Sequence, residues 1–171
     1  MLLITDHGSF TGIRIGLATV KAFCDVTNKP CVSVSSLEAL SYIIDTDDSY
    51  ICSMIDAKHS NVYAAIFEKS GKNFVKVHDY MFDTIDNLLL VLGSLKKKIF
   101  FATNCGILYK DMIQSYLKND VFFTEDTLVS SKYIGIAAFD KFKKGETLSS
   151  NNLNALYLKK SSAEETLEAK K

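Results

Sequence analysis

Tyr50-Ile51-Cys52-Ser53-Met54-Ile55, Asn61-Val62-Tyr63-Ala64-Ala65-Ile66-Phe67-Glu68 and Phe74-Val75-Lys76-Val77-His78-Asp79-Tyr80-Met81 are three successive strand-length runs. Asp56 to Ser60 reads as the turn between the first two, and Ser70-Gly71-Lys72-Asn73 is a hairpin signal leading into the third. Downstream the texture changes. Thr84 caps a predicted helix through Leu95, Ile99-Phe100-Phe101-Ala102 is a strand, and Gly106 to Leu117 is a turn and helix. Val121-Phe122-Phe123 is a further strand, and Ser130 to Lys143 the last helix. Three antiparallel strands followed by alternating helices and strands describe one α/β layer. A loop from Gly145 to Asn152 and an exposed, charged tail from Asn154 close the chain.

Upstream, Asp45-Thr46-Asp47-Asp48-Ser49 is the most linker-like stretch and marks a boundary. The chain therefore divides into a first unit over 1–47, a second over 48–152 and a tail over 153–171. In the first unit Leu2-Leu3-Ile4-Thr5 reads as a short buried strand and Asp6-His7-Gly8-Ser9 as a turn. A helix from about Phe10 to Val26 places Ile13, Leu17, Val20 and Cys24 at helical spacing, with Gly12, Gly16, Thr19 and Phe23 in a second stripe beside them. Each internal glycine costs the helix roughly 1 kcal/mol relative to alanine. That cost is the signature of a close approach by another backbone. Cys31-Val32-Ser33-Val34 is a short strand. Ser35 and Glu38 form a capping box for a helix reaching about Ile44.

Composition narrows the function classes. With hydrophobic residues at 47% and charged residues at 23%, the chain has ordinary globular usage. Lys+Arg 20 against Asp+Glu 20 leaves no basic excess to grip nucleic-acid phosphates, so tRNA contact is expected only indirectly. The longest apolar run, Leu88 to Leu92, is too short to cross a bilayer. No signal peptide opens the chain, and a cytoplasmic address follows by default. Cys24, Cys31, Cys52 and Cys105 sit singly, with no zinc or redox spacing, and most of them read as small buried residues.

Gly8-Ser9-Phe10-Thr11-Gly12-Ile13-Arg14-Ile15-Gly16-Leu17-Ala18-Thr19-Val20-Lys21 resembles the G-P-G-S-F-T-G-L-R-I-G-L-A-T-A-K signature of the TsaB (YeaZ) family. Three further segments resemble that family in order: Val34 to Leu40, Ile55 to Ala64, and Tyr157 to Glu164. The resemblance implies an ASKHA fold, that of actin-like ATPases with two ribonuclease H-like lobes, within a glycoprotease-like superfamily. Here the N-terminal lobe would be incomplete and the C-terminal lobe complete. It also implies a non-catalytic subunit that binds the catalytic subunit TsaD, works with TsaE, and serves threonylcarbamoylation of adenosine 37 in tRNA (t6A), with no cofactor of its own. The partner-binding residues implied are Phe10, Gly12, Ile15, Gly16, Ala18, Thr19, Ala22 and Phe23, and a homodimer through the same helix is the alternative pairing. Gly8, Ser9, Thr11, Arg14, Ser35, Glu38 and Asp56 are read as structural.

Rival readings stand beside this one. Ser9 at a helix start could bind an anion, but a capped turn is favoured. Thr103-Asn104-Cys105 occupies the place of a family Gly-Asp-Gly, so a phosphate cradle there is closed over. His7, His59 and His78 lack helical ligand spacing, and no metal is expected. Arg14 is read as an ion-pairing residue rather than a clamp. Asp56 is favoured as the start of an Asx-turn. The alternatives in function are a nucleotide-binding ATPase, a glycoprotease-type peptidase, or a fragment without function.

Overall fold

The strand runs assemble into one mixed sheet because the first of them satisfies partners on both sides. In a computed structural model, which describes residues 2–4, 10–71, 73–118, 120–124 and 128–158, β3 (Ser49–Asp56) pairs antiparallel with β4 (Asn61–Ser70). Its other edge pairs in parallel with β6 (Ile99–Thr103). β5 (Asn73–Thr84) extends the antiparallel side and β7 (Val121–Phe123) the parallel side, giving the order β5-β4-β3-β6-β7. Gly71, with φ +58, supplies the left-handed turn between β4 and β5 that a side chain would resist.

Alternation along β3 sorts the two cores. Cys52 and Met54 face α3 (Ile85–Gly93) and α4 (Gly106–Tyr116), meeting Leu88, Leu92, Phe101 and Ile113. Ile51 and Ile55 face the other way, meeting Leu37, Leu40 and Ile44 beside Ala65, Phe67 and Ala102. Those first two leucines belong to α2 (Ser36–Ser41), so the short helix of the first unit is cored against the sheet of the second. Ser53, between Ala65 and Ala102 in register, is fully buried and its hydroxyl has no hydrogen-bond partner. Three small side chains in a row leave the sheet centre shallow enough for a helix to sit close.

The first unit also contains a two-stranded parallel sheet, β1 (Leu2–Ile4) with β2 (Val32–Val34). α5 (Ser131–Lys143) contacts both strands and α2, with Ala137 buried among Val32, Val34 and Ala39. The linker-like segment is tied down by its own charges. Asp45 pairs with Lys69 at 3.0 Å, Asp47 Oδ1 accepts from the Gly71 N–H, and Asp48 pairs with Lys97, which also meets Glu68 at 2.9 Å.

Most element types follow the sequence reading, and several boundaries differ, three of them for clear local reasons. α2 stops at Ser41 rather than near Ile44, because the Tyr42 N–H turns back to the Ala39 and Leu40 carbonyls. α3 stops at Gly93 rather than Leu95, where the Ser94 hydroxyl takes the Val91 carbonyl at 2.7 Å. β5 runs well beyond Phe74–Met81, since bulges near Ile66 let it follow β4 to Asn61. The Thr84 cap is present, accepting from the Asn87 N–H at 3.3 Å. All four cysteines are free and buried. Among the described residues no helix is long and apolar enough to cross a membrane.

Because Leu40 is fully buried where α2 meets the sheet, Leu40→Ala should cost about 3 kcal/mol. Urea unfolding of the two proteins measures it.

Candidate functional site

Among the described residues, α1 (Phe10–Thr27) packs along one side. Val20 and Cys24 are buried with Cys31 and Leu153, and Leu17 packs against them. The opposite side is uncovered and apolar: Ile15 is 63% exposed, Phe23 56% and Val26 87%. Gly12, Ala18, Thr19 and Ala22 are exposed with them, and Gly16 is half-buried. Thr19 spends its hydroxyl inside the helix, on the Ile15 carbonyl at 2.9 Å, and Thr27 does the same with Phe23 at 2.6 Å. The result is a face of small and greasy groups with little hydrogen-bonding capacity of its own. Thr11 is exposed at its start, Phe10 is the first helical residue, and Gly8 and Ser9 lie outside the described residues.

Arg14 lies one turn into α1 and is exposed. Its Nε donates to the Tyr157 hydroxyl at 3.4 Å, bringing the start of the tail alongside α1. Ser35 caps α2 by accepting the Leu37 N–H at 3.1 Å. The Glu38 carboxylate meets Lys141 of α5 at 3.1 Å, so it bridges two helices. Tyr42, one turn on, donates to Asp140 at 3.3 Å; burial first, then that carboxylate, raises its hydroxyl above the usual tyrosine range.

A second polar group gathers at the ends of β3 and β6. Asp56 makes the Asx-turn: Oδ1 accepts the Lys58 N–H at 3.0 Å, and Oδ2 pairs with the Lys58 ammonium at 2.8 Å. That lysine bond holds the carboxyl below its ordinary range and raises Lys58 in return. Lys58, His59 and Ser60 all take positive φ, a backbone run that side chains rarely adopt. Asn104 Oδ1 accepts the Asp56 N–H at 3.2 Å, and Thr103 Oγ1 accepts the Cys105 N–H at 3.0 Å. Side chains thus occupy backbone donors that an anion would need in a phosphate cradle. A Cβ at Gly106 would meet Thr103 Cγ2 at 3.2 Å, so the turn beneath is closely packed. Burial raises the Cys105 and Tyr109 side chains, keeping both protonated near neutrality.

With the geometry in place, relatives identify the chain. A family model described as "TsaD: tRNA N6-adenosine threonylcarbamoyltransferase" matches residues 7–169. The "tRNA threonylcarbamoyladenosine biosynthesis protein TsaB" of Bacillus subtilis (strain 168) is 28% identical over 131 residues, 77% of this chain. The chain belongs to this TsaD-like family, in its TsaB/YeaZ branch. It spans 52% of the Bacillus TsaB, about half of that relative's length. Two solved structures share the fold at a TM-score of 0.69 and 16% identity: "YeaZ from Pseudomonas aeruginosa" and "an uncharacterized protein with similarity to peptidase YEAZ" from the same organism. Each match covers 92% of this chain and 73% or 72% of the structure, respectively. The mixed α/β architecture with its five-stranded sheet is therefore that of the YeaZ structures, in keeping with an actin-like, ASKHA-type fold.

The TsaB-like sequence pointed to the α1 face and to the Asp56 turn, both local patterns. It missed Lys141 and Tyr157 as partners of Glu38 and Arg14, which are 103 and 143 residues away. Lysines in the last turn of α5 were the one available signal for the first.

The Asp56–Lys58 pair gives a pH signature. A carboxyl lowered on folding adds stability above its unfolded pKa of about 3.9, and that stability is lost as pH falls through the folded value. Lys58→Gln should therefore be less stable than the parent near neutrality, with the gap closing as pH drops below about 4. Urea melts on either side of that pH check it.

Proposed function

We propose that this chain is a non-catalytic binding subunit in threonylcarbamoyladenosine formation on tRNA, and that it pairs with TsaD through the exposed face of α1. The observation carrying this reading is the uncovered stripe of Gly12, Ile15, Gly16, Thr19 and Phe23, opposite a side that is cored on Val20 and Cys24. Small residues let a second helix approach closely, and Ile15 and Phe23 supply apolar anchors on either side of that notch. Membership in a TsaB/YeaZ branch supports the choice of pathway and partner. Zero formal charge fits a subunit that reaches tRNA through its partner. TsaE would join through TsaD, and a homodimer over the same face is the competing occupancy.

The chemistry at the strand ends favours scaffold over enzyme. Asp56 is neutralised by Lys58, Cys105 is buried and protonated, and the nearby N–H groups are satisfied internally. None of these is an activated nucleophile or an open oxyanion site.

The test is co-purification with TsaD. Gly16→Leu should fill the notch and abolish capture, while improving local helix propensity and leaving the circular dichroism unchanged. Phe23→Asp should weaken binding by at least about 2 kcal/mol, roughly thirty-fold. Full retention of TsaD by both folded variants would place the interface elsewhere.

A further inference from the structure

α1 ends beside two sulfurs. Cys24 lies in its last turns, and Cys31 precedes β2, forming an isolated antiparallel bridge with Leu148. Both are buried in one small cluster with Val20 and Leu153. The Cys31 thiol donates to the Leu148 carbonyl at 3.3 Å, and Cys24 packs in the same buried cluster. Residues 25–30 between them are exposed throughout. A cavity of about 390 Å³ opens onto Cys24, bordered by Asn28, Lys29, Thr147 and Ser150. That volume falls in the range that admits small organic molecules.

We infer that Cys24 and Cys31 form a disulfide site, oxidised by a small dialkyl disulfide that enters this cavity, and that the bond ties the end of α1 to β2. Two thiols packed in one four-residue buried cluster need only a modest approach to reach bonding distance. The connecting loop permits it, since it faces solvent and returns to α1 through two long backbone bonds, Asn28 to Asp25 at 3.4 Å and Lys29 to Cys24 at 3.2 Å. Cys24, at the cavity, reacts first. It loses its proton and attacks one sulfur of the reagent, releasing one alkyl thiolate and leaving a mixed disulfide. Cys31 then loses its proton and attacks the Cys24 sulfur, releasing the second thiolate. Two protein thiols are oxidised by two electrons, and the reagent is reduced to two thiols. Burial raises the Cys31 thiol, and Cys31 does not line the cavity, so the first attack on the reagent falls to Cys24. Cys52 and Cys105 sit instead inside the main core between the sheet, α3 and α4.

The consequence for function rests on the proposed TsaD surface, because Phe23 and Val26 flank Cys24 on α1. The chemical test does not. The full folded chain is incubated with bis(2-hydroxyethyl) disulfide, then analysed by intact mass and peptide mapping. The expected product is lighter by two hydrogens, with Cys24 and Cys31 cross-linked. Cys31→Ser should stop at the mixed disulfide on Cys24, and Cys24→Ser should give no cross-link. A wild-type mixed disulfide that persists on Cys24 overturns the proposal. So does an inert folded chain under conditions where the urea-unfolded chain reacts. TsaD capture by the reduced chain is scored separately: its failure would count against the binding surface, and the mass result against the disulfide.

Discussion

β3 is the strand on which the rest is built. It is hydrogen-bonded along both edges, antiparallel to β4 and parallel to β6, and residues Ser49 to Asp56 are all buried or half-buried. A strand in that position must be apolar on both faces and can carry no large polar group in its middle. The one polar side chain at its centre, Ser53, is tolerated because it is small. It lies with Ala65 and Ala102 where the sheet passes beneath α2. That shallow centre is what lets a six-residue helix, too short to be stable alone, hold its place.

From there the attachment thins. α2 is cored on the sheet, α5 on α2 and β2, and α1, among the described residues, on a small cluster of Val20, Cys24, Cys31 and Leu153. A helix fixed by so few contacts can still be long and regular, since its backbone is satisfied internally. It leaves Ile15, Phe23 and Val26 exposed on its other side. This division of labour, with a rigid sheet carrying a lightly anchored helix, gives a TsaB-like chain both a stable body and an uncovered apolar face. The strand-end cluster shows the opposite economy. There Asp56, Lys58, Thr103 and Asn104 satisfy one another and the nearby backbone, so polar groups that could have served a ligand serve the fold.

How much of this was legible in advance depends on the range of the interaction. The Asx-turn at Asp56 joins residues two apart, and the Thr84 cap joins residues three apart, so residue type and spacing reveal both. The stripe on α1 is legible for the same reason, because helical periodicity is local. Glu38 looked like half of a capping box, which is the best local use for it. Its actual partnership with Lys141 arises only once α5 lies across α2.

The amino-acid sequence by itself determined the strand and helix types, the hairpin at Gly71, the burial of most of the cysteines, and which residues share the α1 stripe. Each follows from periodicity or from backbone preferences acting over a few residues. Only the tertiary structure decided that β6 joins β3 in parallel, that α2 crosses to the larger sheet, that Arg14 meets Tyr157, and that Cys24 and Cys31 share one buried cluster. Those pairings join segments through packing, and several bring together groups far apart in the chain. Their free energy comes from apolar area and hydrogen bonds completed jointly, which no single stretch of sequence contains.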